Sequence, residues 1–298
     1  MGASPESGGV MHARRWIAVG CVLPLVFAGC GGASKVTDPP ATTPTLLSGN
    51  WAFEPAPALG TTPVVLPPFI SGSLSVNGTQ VSADLLTLLL VKSSCPITSP
   101  PDVTLTGSVA NGQISLTSAS WNGVVITLSG NVGPDGQSIS ANWSAKGGCV
   151  DGQSGSFVGN YIAPVAGAWT GTASSLPSQL SGTSATSPLN GASVTFQLQQ
   201  SPTPAGYAFP LSGTVTVAGT SCGFTHGTLI QEPAVVLPEP SYITGSTWTI
   251  IAQMDDNKSV LIAAAVPAPS STAQWLMVFN VLGGACDGAP AQVTLTKQ

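Results

Sequence analysis

Few residues in this chain could do chemistry. Cys222 and His226 lie close together in Ser221-Cys222-Gly223-Phe224-Thr225-His226-Gly227, where a thiolate and an imidazole could form a nucleophile pair. Asp255 and Asp256 adjoin in Met254-Asp255-Asp256-Asn257-Lys258, and paired carboxylates serve glycosidases and Ca²⁺ sites. Asp135-Gly136, Asp151-Gly152 and Asp287-Gly288 could seed Ca²⁺ loops. Trp51, Trp121, Trp143, Trp169, Trp248 and Trp275 could stack on sugar rings or line an apolar pocket.

Each candidate also has a structural explanation. Cys222 has a counterpart, Cys95, with no His after it, so a disulfide explains both better than a nucleophile. His226 then reads as a surface or loop histidine. Adjacent acids at a hairpin tip point apart, and turns favour Asp and Asn for backbone reasons. None of the Asp-Gly pairs has the Asp-x-Asp-x-Asp-Gly spacing of a high-affinity Ca²⁺ loop. The tryptophans recur across an internal repeat, which favours core packing over ligand contact. The expectation is no catalytic residue, no metal and no cofactor.

Charge removes further classes. The chain holds 7 Lys and Arg, 12 acids and 2 His in 298 residues, and only 6% of residues are charged. Arg14, Arg15 and His12 fall in a leader. Beyond that leader the chain carries Lys35, Lys92, Lys146, Lys258 and Lys297, no Arg, and a net charge near −6. Affinity for nucleic acid rests on Lys and Arg neutralising phosphates, so nucleic acid is excluded as a partner. Bidentate guanidinium clamps are missing too. His226 is the one histidine left for any Ser-His-Asp triad, and histidine metal cages are excluded by count.

The leader reads Met11-His12-Ala13-Arg14-Arg15, then an apolar run of 13 residues from Trp16 to Ala28. That run is shorter than the ~20 residues of a spanning helix and suits a signal peptide. Met11 is the expected start. The run ends at Phe27-Ala28-Gly29-Cys30, which resembles the bacterial lipobox at Ala28, Gly29 and Cys30, with Phe27 replacing the usual aliphatic residue. The resemblance implies cleavage before Cys30 and a lipid anchor on it. Gly31, in place of an Asp, favours an outer-membrane address. Residues 31–46 are rich in Gly, Pro and Thr without apolar periodicity, as a tether requires.

The rest falls into two similar halves. Gly49-Asn50-Trp51 returns as Gly167-Ala168-Trp169, 118 residues later. Cys95 precedes Trp121 by 26 residues, as Cys222 precedes Trp248. Trp143 and Trp275 each follow an Ala-x, and each half closes on Gly-Gly, Cys and Asp-Gly. These recurrences mark a tandem duplication, which selects Cys95–Cys149 and Cys222–Cys286 among the possible pairings. The expected organisation is 1–29 signal peptide, 30–46 lipidated Cys and tether, 47–163 first β-domain and 164–298 second β-domain.

Locally, period-2 runs meet turn residues. Ile70–Val76 ends at Asn77-Gly78, Val103–Val109 at Asn111-Gly112, and Val124–Val132 at Pro134-Asp135-Gly136. Leu211–Val217, Tyr242–Ala252, Ser259–Val266 and Trp275–Leu282 read likewise, and no window carries a capped helical stripe. Each half should be an antiparallel barrel or sandwich of roughly seven to nine strands. An immunoglobulin-like sandwich is the alternative, and the Cys-to-Trp gap of 26 residues fits it poorly. Gly-x-Trp on the first strand of a meander resembles the lipocalin/calycin barrels. There the Trp plugs the closed end, and the open end holds an apolar ligand. The Arg that packs on that Trp in the family has no counterpart here.

The sequence thus favours a non-catalytic cell-envelope lipoprotein that binds a small apolar ligand, a glycan or an envelope protein. A secreted hydrolase, whose acids meet only in the fold, is the competing class.

Overall fold

Alternating hydroxyl and aliphatic residues make strands with one wet and one dry face. The computed structural model describes residues 44–56, 69–87, 102–120, 123–176, 186–231, 240–268 and 271–298. The leader, Cys30, the tether up to residue 43, Cys95 and Trp121 lie outside them, as does the Cys149 side chain.

Eight strands form the first barrel: β1 (Gly49–Pro55), β2 (Phe69–Asn77), β3 (Gln80–Thr87), β4 (Asp102–Ala110), β5 (Gln113–Ser118), β6 (Val125–Val132), β7 (Ser138–Lys146) and β8 (Ser154–Ile162). Each pairs antiparallel with the next, and β8 returns to β1 from Asn50↔Ile162 to Pro55↔Phe157. The tight hairpins take the expected residues. Asn111 and Gly112 both have positive φ, at 53° and 74°, which a two-residue hairpin turn requires.

The second barrel repeats this plan with β9 (Gly167–Ser174), β10 (Ser193–Gln200), β11 (Phe209–Ala218), β12 (His226–Leu229), β14 (Thr247–Met254), β15 (Val260–Ala268), β16 (Ser271–Leu282) and β17 (Pro290–Lys297). β17 pairs with β9 and β10 with β11, closing the ring. One extra strand, β13 (Tyr242–Thr244), pairs with both β11 and β14 where the four-residue β12 runs out. The chain is therefore all-β, with two closed eight-stranded barrels and no sandwich. Tyr242–Ala252, expected as one strand, is broken at Gly245, whose φ of 51° turns the chain back on itself.

Inward positions carry the apolar residues. Leu105, Ile114, Leu116, Leu128, Ile139 and Phe157 are among those filling the first barrel; Val194, Phe196, Leu211, Val215, Met277 and Leu295 are among those filling the second. Outward positions of β4 to β7 are mostly Ser, Thr and Asn. Membrane-spanning barrels have the reverse arrangement, apolar outside and polar inside.

Both barrels have the same two ends. At one, the N-terminal segment crosses the short hairpins of the first barrel: Leu47 N donates to Gly136 O at 3.2 Å, and Val76 N donates to Ser48 Oγ at 2.9 Å. At the other end lie the connections β3–β4 and β7–β8. In the second barrel these become β11–β12 and β16–β17, which hold Cys222 and Cys286, and the two are joined as a disulfide. The sequence places Cys95 and Cys149 in the matching connections of the first barrel.

The barrels also touch, within the unit Thr42–Gln298. Asn50, Ser71 and Ser73 face outward on β1 and β2 yet are 2%, 4% and 2% exposed. The second barrel covers them. Ser71 Oγ lies 2.9 Å from Thr244 Oγ1, and Ser73 Oγ donates to Gly206 O at 2.9 Å.

Candidate functional site

The duplicated Gly-x-Trp motif performs the same task twice. Trp51 Nε1 donates to Leu47 O at 3.2 Å, and Trp169 Nε1 donates to Val165 O at 2.7 Å. Each indole thereby fixes the residue four positions earlier across the end of its barrel. The preceding glycines, Gly49 and Gly167, have φ of 141° and 124°. A Cβ on Gly49 would come within 2.7 Å of the Tyr161 ring. Tyr161 meets Trp51 edge-on at 5.9 Å. On the matching last strand of the second barrel, Lys297 Nζ sits 5.6 Å from the Trp169 ring centroid. A lysine thus places a cation on the face of this Trp.

The other tryptophans recur less strictly than their spacing implied. Trp143 and Trp275 both lie on the seventh strand of their barrels, but at opposite ends of it. Counting back from the matching glycines Gly147 and Gly283, Phe279 takes the place of Trp143. Trp248 begins β14, whereas Trp121 follows β5 and lies outside the described residues. Trp248 instead joins Trp169 and Trp275 in one cluster, with centroids 5.1 and 4.4 Å apart. The five described tryptophans after the leader are at most 5% exposed. They are core, and none offers an open indole face to a sugar. The Nε1 atoms of Trp143 and Trp248 are buried without a hydrogen-bond partner among the described residues.

The two terminal turns show the duplication most closely. Gly147 N donates to Asp151 Oδ1 at 2.6 Å, and Gly283 N donates to Asp287 Oδ1 at 2.7 Å. Each turn holds one short 3₁₀ segment, Gly148–Val150 or Gly284–Cys286. With these turns superposed, Cys286 corresponds to Val150, one residue beyond Cys149. Both aspartates are turn residues. Asp135 likewise accepts from Gln137 N at 2.9 Å.

Among the described residues, the fold brings one catalytic-looking group together. Thr225 Oγ1 lies 2.8 Å from His226 Nδ1 and donates to Asp255 Oδ2 at 3.0 Å. His226 Nδ1 is 3.7 Å from that same oxygen, and the two side chains are 68% and 43% exposed. Thr225 Oγ1 thus bridges the imidazole and the carboxylate at the surface. Asp255 also accepts from Thr225 N at 3.0 Å and His226 N at 3.2 Å. These bonds, the Thr225 N–H foremost, outweigh a desolvation that raises it and hold its carboxyl below the ordinary carboxylate value. Desolvation pushes Asp256 up, but bonds from the Ser259 hydroxyl and from the Lys258 and Ser259 N–H groups more than offset this, with help from the Lys258 charge. The two carboxylates point into different hydrogen-bond sets, as a turn at a hairpin tip requires. Cys222 is 1% exposed and disulfide-bonded, so it is no thiolate.

Among the described residues, no group of three His, Cys, Asp or Glu side chains could hold a metal ion. A groove of about 470 Å³ crosses β4 to β7, lined by Ser108, Gln113, Ser115, Ser129, Asn131 and Asn142 along with Ala110, Ile114 and Gly130. The register aligns these side chains in rungs. Ser108, Ser115, Ser129, Asn142 and Ser156 are consecutive partners across five strands, and Gln113, Asn131 and Ser140 form the next rung. The equivalent face of the second barrel differs. Val266, Val278 and Leu282 on β15 and β16 are 44%, 40% and 39% exposed. Sequence reasoning missed both faces, because a period-2 pattern marks the buried side of a strand and says nothing of how the wet side is organised.

No protein-family model matches the chain, and no curated protein matches it. Solved structures give weak likenesses. A candidate outer membrane protein of Bacteroides fragilis is 12% identical, the match covering 84% of this chain and 96% of that one, with a TM-score of 0.26. A DUF3598-family protein of unknown function from Nostoc punctiforme is 10% identical, covering 84% and 94%, with a TM-score of 0.25. At such scores neither likeness bears on function, and the double barrel stands on its own strand pairing.

Proposed function

We propose that this chain is a non-catalytic, lipid-anchored binding module of the bacterial cell envelope. Cys30 is the anchor, the tether runs from residue 31 to where Leu46 is buried in the first barrel, and the two barrels are presented beyond the membrane. The observation that carries the binding reading is the filling of both barrels. Inward side chains of every strand pack on one another, which directs recognition to the outer faces. The anchor reading rests on the lipobox resemblance and on the N-terminal segment, which leads into the barrel end that Trp51 closes.

The test is the intact mass of the protein purified from its native membrane, with and without reductant. A mass beginning at Cys30 with an acyl-glyceryl addition supports the reading. An unlipidated mass with another N-terminus overturns it. The hydrolase alternative has one observation in its favour, the meeting of Thr225, His226 and Asp255. An ester- or glycoside-hydrolysing activity abolished by His226→Ala would establish it in place of the binding role.

A further inference from the structure

We propose that the outer face of β4 to β7 is a binding site for a neutral glycan. This deepens the binding reading above and rests on it. The groove of about 470 Å³ is lined by six side chains whose hydroxyls and amides can both donate and accept: Ser108, Gln113, Ser115, Ser129, Asn131 and Asn142. All six are exposed. Among the described residues, five of them have no side-chain partner, and Asn142 uses only its Oδ1, to accept from Ser156 at 2.7 Å. Its Nδ2 stays free.

The strand pairing sets these groups on a lattice. Ser115 lies opposite Ser129, which lies opposite Asn142; Gln113 lies opposite Asn131. Neighbouring strands are about 4.8 Å apart, and alternate residues along a strand about 6.8 Å apart. Hydroxyls on adjacent sugar rings meet such a lattice at several points at once, each donor facing an acceptor.

Charge decides the ligand class. None of the six side chains is ionised, so phosphorylated or carboxylated polymers would find no counter-ion there. A protein partner would bring apolar anchors and charges, and this groove offers only Ala110 and Ile114 against the former. A neutral glycan needs neither. The duplicate barrel argues the same way: it keeps the Gly-x-Trp closure and the terminal turn, yet carries Val260, Ile262, Ala264, Val266, Leu276 and Val278 at the outward positions of β15 and β16. The second barrel has its outward Thr and Gln residues on β9 to β11 instead, so a hydroxyl face at the positions of β6 and β7 is not needed to close a barrel.

The full chain, in detergent, would be titrated calorimetrically with cellohexaose, chitohexaose and maltohexaose, and with polygalacturonate as the anionic comparison. At least one neutral hexasaccharide is expected to bind, and polygalacturonate to bind at least tenfold more weakly. Gln113→Ala with Asn131→Ala removes two amides and is expected to weaken binding by about tenfold. Ser129→Arg fills the groove and abolishes it, while Gln292→Ala on the second barrel leaves it unchanged. Circular dichroism confirms that each variant folds. Absence of binding to all three neutral probes overturns the site, as does binding that neither first-barrel variant alters. Retention of an envelope protein through a Ser129→Arg-sensitive contact, with no glycan bound, overturns the glycan assignment. The intact mass separates the two failures: a lipidated chain that ignores glycans loses only this site, and an unlipidated chain that binds them loses only the address.

Discussion

The side-chain amide of Asn50 pairs with the backbone of Gly245 in both directions. Nδ2 donates to Gly245 O at 2.9 Å, and Oδ1 accepts from Gly245 N at 2.6 Å. Asn50 belongs to the first barrel and Gly245 to the β13–β14 turn of the second. The pair behaves as one rung of a sheet laid between two closed barrels, neither of which has a free edge to offer. Gly245 is needed twice over. Its φ is 51°, and a Cβ there would come within 2.5 Å of Ser71 Cβ and 3.2 Å of Trp51 O.

Gly245→Ala should therefore separate the barrels while leaving each intact. Strain at positive φ and overlap with β1 and β2 together cost about 2–4 kcal/mol. Asn50→Ala leaves the Gly245 N–H and C=O buried without partners, a loss of about 1–3 kcal/mol. Calorimetry should show one unfolding transition in the wild type and two in Gly245→Ala. A single transition at an unchanged midpoint would refute the coupling.

How legible was this in the sequence? The barrels were, because Asn-Gly and Asp-Gly turns between alternating runs fix hairpins through local backbone chemistry. The Cys222–Cys286 bridge was, because the repeat selected it. The interface was not. Asn50, Ser71 and Ser73 stand at outward positions of alternating strands, and nothing local tells a polar residue that meets water from one that meets another barrel. The Trp143–Trp275 equivalence misled for a related reason. Both point inward, and period-2 alternation says nothing about height along the barrel axis. Thr225, His226 and Asp255 met only because β12 and β14 are neighbours in the second barrel.

The disulfide should stabilise chiefly by restricting the unfolded chain. Cys222 and Cys286 are 64 residues apart, and a loop of that size is worth about 4 kcal/mol. Cys222→Ser with Cys286→Ser should lower the second barrel's stability by about that amount in a urea titration. Cys95 and Cys149 occupy the matching connections, so reduction of the full chain should add four hydrogens to its mass. A gain of only two would leave the first pair unbridged.

Asp255 gives a pH-dependent signature. Its carboxyl is held below the ordinary value of 3.8 by the Thr225 and His226 donors. A depressed folded pKa contributes stability that is fully present above the unfolded pKa and is lost as pH falls through the folded one. Asp255→Asn should accordingly be less stable than wild type at pH near 7, and the gap should close as the pH is lowered below about 3.8. Urea midpoints of both proteins across that range measure it. A gap that persists at low pH would mean that the side chain acts through packing and not through its charge.

The filled interior makes the last prediction. Leu116 on β5 lies across from Gly107 on β4 and Leu128 on β6, and is 2% exposed. A side chain so placed occupies volume that a ligand-carrying barrel would leave open. Leu116→Ala should cost about 2–5 kcal/mol, because the surrounding strands are closed into a ring and cannot collapse far. The space left behind is apolar and should stay dry, so it should take up benzene or xenon. Wild-type protein should show neither a xenon chemical-shift response nor a rise in melting temperature with benzene, while Leu116→Ala should show both. Uptake by the wild type would return the search for a partner from the outer faces to the barrel interior.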